Sequence, residues 1–213
     1  WKATVDLQSS NGVVIPAGTE LVVEGYMPEG FVALTLSVNV EGEEPEGWQD
    51  FAINEIKGFR APYLSHSKNL FSSLEANNFT YDASTVSNGP VLPKLENVTK
   101  FALPLIPEGP SSKKIIAMDY NLYVRHSKAK DNPERSQVFE ERTYQAFKTA
   151  FDKEYNGARI PLQMGFHFVE MNAGAYWRAL DRFAQDTCSM PDVDCITYQE
   201  ALTRLGQKRA NNS

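Results

Sequence analysis

The chain of 213 residues is long enough for one substantial core, and its hydrophobic content of 42% and aromatic content of 11% are typical of a globular protein. Its net charge of −6 offers no basic stripe that could neutralise phosphates, so we expect no nucleic-acid partner. No apolar run approaches the length that spans a membrane, so we expect no membrane span.

The first thirty residues are dominated by short β-branched runs. The runs at 13–15 and 21–23 flank a Pro-Ala-Gly turn at 16–18, a pattern that predicts a hairpin. No polar cluster in this region indicates chemistry. We therefore expect residues 1–30 to form a β-rich extension of a main domain at 31–213. The end of a separate carbohydrate-binding β-module is the alternative.

Two strands are predicted next, and the second ends in a charged residue, Arg60. Residues 31–36, Phe-Val-Ala-Leu-Thr-Leu, predict a buried strand, and residues 48–57 predict a short helix that leads into a strand ending at Arg60. Arginine presents a fixed fork of donors that fits a carboxylate. Pro62 stiffens the following turn, and Tyr63 supplies an aromatic wall and a backbone N–H.

Strands and helices alternate in the rest of the chain. The patterns predict a helix over 67–77, strands at 79–84, 101–105 and 114–119, a long helix from 133 to about 155, a strand at 161–168, a helix over 173–185, a strand at 195–196, and a final helix capped by Thr197 and Glu200. On the long helix we expect Val138, Tyr144, Phe147 and Phe151 to face inward. This alternation, with several strands ending in polar residues, favours a parallel α/β barrel.

Among the three histidines, His167 alone is flanked by apolar residues on both sides. A histidine at a strand end is a reasonable general acid. Asp119 ends another predicted strand. His66 and His126 lie beside serine and lysine in polar, loop-like sequence, which makes them weak candidates for metal ligands.

Three of these segments resemble the polysaccharide deacetylases, the nodulation-protein-B-like fold that includes the chitin deacetylases. Gly-Phe-Arg-Ala-Pro-Tyr-Leu at 58–64 and Phe-Thr-Tyr-Asp-Ala-Ser at 79–84 resemble the middle of a chitin deacetylase. Pro-Leu-x-x-x-Phe-His at 161–167 resembles its last catalytic strand. The resemblance extends over roughly 31–205 and implies a distorted, reduced (β/α) barrel of the polysaccharide deacetylase type.

The resemblance also implies a role for each candidate site residue. In the family, a divalent metal, usually zinc, binds the acetamide oxygen and a water, an aspartate acts as base, and a histidine returns the proton. Arg60 would hold the base, and the backbone N–H of Tyr63, after Pro62, would face the developing oxyanion. Asp119 would orient His167, and His167 would be the general acid.

The sequence departs from the family in the half of the site that holds the metal. The family strand ends in Thr-Phe-Asp-Asp or Asp-Val-Glu-Asp, but here Ser37 and Val38, or Asn39 and Gly42, stand at the two aspartate positions. The family's His-x-x-x-His pair has no counterpart between residues 42 and 58. We therefore predict no zinc site and no cofactor, although the family uses zinc or another divalent metal.

The cysteines and two asparagines bear on the compartment. Cys188 and Cys195 are the only cysteines, and such a close pair favours a local disulfide, with two free thiols in a reducing compartment as the alternative. The chain begins at Trp1, which fits a processed secreted protein or a fragment. We expect a secreted or extracytoplasmic protein. Asn78-Phe-Thr and Asn97-Val-Thr match the N-glycosylation acceptor pattern, which also occurs by chance.

Three functional hypotheses remain, and the sequence leaves catalysis open. The leading one is a deacetylase-like domain that binds an N-acetylated polysaccharide, related to chitin or peptidoglycan, with metal-dependent N-deacetylation weak or lost. The second is an active deacetylase whose metal ligands lie outside this chain or are rebuilt from Glu41, Glu43 and His66. The third is a structural matrix or adhesion protein.

Overall fold

The computed structural model describes residues 7–8, 14–15, 56–65, 67 and 69–210, with side chains described for 56–206 within those ranges. Several predictions of the sequence lie outside the described residues. They are the hairpin around 16–18, the strand at 31–36, the positions Ser37 to Glu44, the helix at 48–57 except for its last two residues, which are described and not helical, and His66. The division into 1–30 and 31–213 stays a prediction.

The described residues form a mixed α/β structure. The strands are β1 (Leu7–Gln8), β2 (Val14–Ile15), β3 (Gly58–Phe59), β4 (Tyr81–Ser87), β5 (Thr99–Glu108) and β6 (Lys113–Ile116). The α-helices are α1 (Leu70–Ala76), α2 (Asp119–Ser127), α3 (Ser136–Tyr155), α4 (Met171–Thr187) and α5 (Tyr198–Ala210), and short 3-10 turns cover Pro62–Leu64 and Pro133–Arg135. None of these helices is long and apolar enough to cross a membrane.

Four strands form the main sheet in the order β3-β4-β5-β6. The pairs β3-β4 and β4-β5 are parallel, whereas β5 and β6 are antiparallel. The expected all-parallel sheet is therefore wrong at this last pair. Residues 109–112 are too few for a crossover, which needs a dozen or more residues, so the chain returns as a hairpin. Beyond β6, a parallel bridge between Met118 and Gly165 adds the His167 segment to the same layer.

Helix α3 packs against β5, and α4 packs against α3, so that both helices contribute side chains to the core. The inner face of α3 carries Phe139 and Phe147, both fully buried, while Val138 is 47% exposed. The prediction that Val138 faces inward is therefore wrong. The buried positions Phe139, Thr143, Phe147 and Ala150 follow the helical period one residue out of phase with Val138.

The end of the chain is held by local constraints. Cys188 and Cys195 form the predicted disulfide. No strand forms at 195–196, because this segment closes the disulfide loop and pairs with no strand of the described sheet. Helix α5 begins as predicted, since the backbone N–H of Glu200 donates to Oγ1 of Thr197 at 3.2 Å.

Candidate functional site

Asp119 and His167 form a buried pair at the centre of the site. Nδ1 of His167 lies 2.5 Å from Oδ1 of Asp119, and the backbone N–H of His167 donates to Oδ2 of Asp119 at 2.7 Å. The carboxylate also accepts the backbone N–H of Tyr120 at 2.7 Å. Asp119 is fully buried, and these hydrogen bonds give both of its oxygens partners within the protein, as a buried carboxylate requires.

The backbone that holds this pair is fixed by the sheet. Asp119 is the first residue of α2, where a negative charge is favoured by the helix dipole. Its N–H donates to the carbonyl of Gly165 at 3.1 Å, and the N–H of Gly165 donates to the carbonyl of Ala117 at 2.9 Å. These two hydrogen bonds set the His167 segment beside the end of β6. On the other side, Nε1 of Trp177 donates to the carbonyl of His167 at 3.0 Å.

The second ring nitrogen of His167 is not engaged. Nε2 is buried, and no described residue forms a hydrogen bond with it. Because the carboxylate of Asp119 faces Nδ1, it favours the tautomer that carries the proton on Nδ1 and leaves Nε2 as an acceptor. The ring of Tyr120 lies 5.9 Å from the imidazole, centroid to centroid, and forms one wall beside it. Unpartnered buried nitrogens are rare in native proteins and call for an explanation.

Gly165 brings Arg60 to the same place. A Cβ atom added at Gly165 would lie 3.0 Å from Nη1 of Arg60 and 3.1 Å from Cε of Met118. The absence of a side chain at Gly165 therefore lets the guanidinium lie against the segment that binds Asp119. The three predicted residues Arg60, Asp119 and His167 thus share one neighbourhood, built from the end of β3, the start of α2 and the 161–168 segment.

Arg60 is buried, and its guanidinium is held by neutral oxygens. Nε donates to the carbonyl of Ala83 at 3.0 Å, and Nη2 donates to the hydroxyl of Tyr198 at 3.2 Å. Within the described part of the chain, no carboxylate lies within 4.0 Å of Arg60. A buried charge of this kind is costly unless it has an opposite charge or a full set of acceptors. The position is therefore suited to a carboxylate or another anion.

Tyr198 is a site residue that the sequence did not reveal. Its ring packs against Phe101 at 4.7 Å and Tyr81 at 5.4 Å, centroid to centroid. Burial raises the pKa of Tyr198, and the neighbouring Arg60 acts in the opposite direction. Its hydroxyl is therefore a neutral partner for the guanidinium. In the sequence it appears only as the residue after a helix cap, and no motif marks it.

A side-chain hydrogen-bond relay, also not predicted from the sequence, links the residue after β3 to β4. The hydroxyl of Ser84 accepts the N–H of Ala61 at 2.7 Å and donates to Oδ2 of Asp82 at 2.7 Å. Asp82 is fully buried, and its Oδ1 accepts the N–H of Ser84 at 3.0 Å. This relay fixes the backbone immediately after Arg60. It was hidden in the sequence because an Asp-Ala-Ser run is equally typical of an exposed strand end.

Tyr63 follows in a strained turn. It lies between Pro62 and Leu64 in a 3-10 turn with a φ of 54°, in the left-handed region that bulky residues rarely adopt. Its side chain is 68% exposed, and no described residue accepts a hydrogen bond from its backbone N–H. A second exposed aromatic ring, Phe168 at 64%, follows His167 directly and stacks on Trp177.

His126 belongs to a separate buried network. Its Nε2 lies 3.2 Å from Oε1 of Glu108, which also accepts Nε of Arg142 at 2.9 Å. Its Nδ1 lies 3.5 Å from the hydroxyl of Tyr176. Burial, and then the charge of Arg142, lower the pKa of His126 from 6.5 to about 4, although Glu108 acts in the opposite direction. At neutral pH this histidine is an uncharged structural residue.

The donor set of the described residues does not resemble a metal site. No group of three or more His, Cys, Asp or Glu side chains there is arranged to hold a metal ion. The aspartate and histidine near the candidate site are bonded to each other, and both cysteines are in the disulfide. The candidate ligands Glu41, Glu43 and His66 lie outside the described residues.

No family model, curated protein or solved structure matches this chain. The resemblance to the polysaccharide deacetylases therefore rests on the motif residues themselves.

Proposed function

We propose that this chain is a polysaccharide deacetylase-like domain that binds an N-acetylated polysaccharide, related to chitin or peptidoglycan, with metal-dependent N-deacetylation weak or lost. The observation that carries the proposal is the buried Asp119–His167 pair, whose Nε2 has no described partner, beside the buried Arg60. A buried nitrogen without a partner does not help folding, so its retention here favours a role in binding a ligand.

His167 would contact the acetamido group of the sugar. With Asp119 holding the proton on Nδ1, Nε2 accepts a hydrogen bond from an N–H or O–H donor. The acetamido group of an N-acetylated sugar combines one amide N–H with a planar acetyl group. The deacetylated sugar has a smaller, charged ammonium group in its place. Nε2 is shielded from solvent, so the groups that cover it must give way as the ligand enters. The ring itself stays in place because Asp119 binds its backbone and its side chain.

The exposed aromatic rings supply the surface on which a sugar ring could lie. Tyr63 and Phe168 follow Arg60 and His167 closely in sequence, and both present most of their side chains to solvent. Aromatic faces pack well against the apolar C–H face of a pyranose ring and contribute large contact areas at low entropic cost. The strained turn at Tyr63 is consistent with a conformation kept for binding rather than for folding.

The proposal of weak or lost hydrolysis follows from the donor set. Amide hydrolysis at neutral pH needs a polarised carbonyl and an activated water, which a metal supplies in the family. No two of the three histidines are four residues apart, and neither register of the 37–42 segment retains both family carboxylates. The Asp119–His167 pair can take up or release a proton at Nε2, but neither residue is a Lewis acid that would polarise the amide carbonyl as a metal does.

Calorimetric titration of the full chain tests this proposal. We expect an N-acetylglucosamine pentamer to bind about tenfold or more tightly than its fully deacetylated counterpart, equivalent to about 1.4 kcal/mol or more. Acetate release should be slow or undetectable over the same period. Tyr63→Ala and Phe168→Ala should weaken binding, whereas Val138→Ala, a change at another exposed apolar residue, should not.

The other outcomes separate the two remaining hypotheses. Stoichiometric zinc binding that switches on acetate release would show that metal ligands come from outside the described residues, in favour of the active enzyme. Failure to bind either oligomer, with the protein folded, would favour the structural matrix or adhesion protein and would refute the binding domain.

A further inference from the structure

Two acceptor tripeptides for N-glycosylation lie in the described part of the chain. They are Asn78-Phe79-Thr80 and Asn97-Val98-Thr99, and neither has proline at the central position. Such tripeptides occur often by chance, so the pattern alone carries little weight. The fold adds two observations about them, namely their exposure and their closeness to each other.

Both asparagines are exposed and lie outside regular secondary structure. Asn78 follows the end of α1 with a φ of 61°, a left-handed conformation that asparagine tolerates better than most residues. Asn97 lies in the loop before β5, and its side chain donates to Oε1 of Glu75 at 2.6 Å in an exposed contact. Each amide nitrogen can therefore carry a bulky substituent without opening the core.

The two tripeptides are also neighbours in space. Thr80 directly precedes β4, Thr99 is the first residue of the adjacent parallel strand β5, and the N–H of Thr99 donates to the carbonyl of Thr80 at 2.9 Å. The next residue, Tyr81, is the register partner of Thr99. Asn78 and Asn97 thus both precede the first residues of β4 and β5, whereas Arg60 follows the last residue of β3. The asparagines and the candidate site belong to opposite ends of the parallel strands.

We propose that Asn78 and Asn97 are both N-glycosylated and that their glycans together cover the end of the sheet at which β4 and β5 begin. In each transfer, Nδ2 of asparagine bonds to the anomeric carbon of an oligosaccharide carried on a lipid pyrophosphate. The bond from that carbon to the pyrophosphate oxygen breaks, the lipid diphosphate leaves, and Nδ2 loses one proton. No oxidation or reduction takes place. The Cys188–Cys195 disulfide fits the oxidising compartment in which this transfer occurs.

The placement would leave the candidate site free of attached glycans. The attachment points precede β4 and β5, whereas Arg60 follows β3, so the glycans would be attached away from the Arg60 end of the strands. The inference does not depend on the proposed function, because glycan occupancy is read from the asparagines themselves. A chain that binds no sugar ligand can still carry both glycans.

The test is to secrete the full chain from animal cells and map its glycans by site. Enzymatic removal of N-glycans in heavy-oxygen water converts each occupied asparagine to labelled aspartate, which peptide mass spectrometry then locates. We expect label at both Asn78 and Asn97. Site-resolved mapping is needed because a further Asn-x-Ser tripeptide, 211–213, lies outside the described residues.

Matched variants separate the acceptor role from folding. Asn78→Asp keeps a residue that tolerates positive φ but cannot be glycosylated, and Asn97→Gln avoids a new carboxylate beside Glu75. Each should lose label at its own site alone. Thr80→Ser should keep the label at Asn78, whereas Thr80→Val should remove it. Absence of label at either asparagine in the secreted, folded protein would overturn the proposed pair.

Discussion

Asp119 binds His167 twice, through the ring Nδ1 at 2.5 Å and through the backbone N–H at 2.7 Å. The first contact sets the tautomer of the imidazole, and the second fixes where the ring can lie. Because the carboxylate holds both the ring and the backbone of His167, Nε2 points in one direction whether or not Nε2 is protonated.

The tautomer of His167 is the first testable consequence. We expect His167 to carry its proton on Nδ1 when neutral, because the Asp119 carboxylate accepts it there. Long-range proton–nitrogen NMR correlations on labelled protein distinguish the two tautomers. Asp119→Ala should mix the tautomers, while Glu170→Ala, the loss of an exposed carboxylate nearby in sequence, should not. A pure Nε2–H tautomer in the unchanged protein would contradict the geometry.

Gly165 tests whether Arg60 belongs to this site. In Gly165→Ala the new methyl group would crowd Nη1 of Arg60 and the Met118 side chain, so we expect a loss of roughly 1–2 kcal/mol in unfolding free energy.

Gly206→Ala is the matched control for this change. Gly206 lies inside α5, and a Cβ there would meet nothing within 4 Å. This change should be neutral or stabilise by up to about 1 kcal/mol through helix propensity. Chemical denaturation measures both variants. Equal effects of the two changes would show that Gly165 has room to spare.

Protonation of His126 should destabilise the fold in acid. Its pKa is about 4 in the folded state against 6.5 for an ordinary histidine, so the unfolded chain binds the proton more readily. The contribution to stability is complete above pH 6.5 and is lost as the pH falls towards 4, by about 3 kcal/mol in all.

The variant His126→Gln removes that titration while leaving Glu108 paired with Arg142. Unfolding free energies measured from pH 7 to 4 should fall less steeply in this variant than in the unchanged protein. The other charged or titratable groups around His126, namely Arg125 and Tyr176, are the same in both. Parallel pH profiles would rule out this assignment.

We expect removal of the disulfide to cause a modest loss of unfolding free energy. Cys188 and Cys195 close a loop with a separation of seven residues, for which chain entropy gives about 2–3 kcal/mol. Replacement of both cysteines by serine should lower the unfolding free energy by that amount. Thiol titration of the unreduced, unfolded protein should find no reactive group. Two reactive thiols would exclude the bond.

Local patterns predicted much of the fold because the elements concerned are strongly periodic or clearly capped. The helix that ends at Tyr155 and the Thr197 cap are examples. The direction of β6 could not be read in the same way, since it depends on the short turn at 109–112 rather than on the strand's own sequence. Nor could the phase of α3, where Val138 and Phe139 are both apolar and only packing decides which is buried.

The candidate site shows the same division. Arg60, Asp119 and His167 were predicted from strand-end chemistry and from motif resemblance, and the structure brings them together. Tyr198 and the Ser84–Asp82 relay were not predicted, because their roles arise from contacts between residues distant in sequence. The catalytic or binding roles of Arg60, Asp119 and His167 remain predictions.

We propose that the Asp119–His167 pair forms part of a binding site for an N-acetylated sugar. The most direct measurement is an NMR titration of the labelled full chain with an N-acetylglucosamine pentamer, following the His167 imidazole, the Tyr63 amide and the His126 imidazole together. We predict saturable shifts at His167 and Tyr63, with His126 unchanged because it lies in a separate buried network. Saturable binding that leaves His167 and Tyr63 unperturbed, or no binding by the folded protein, would refute a sugar site at this pair.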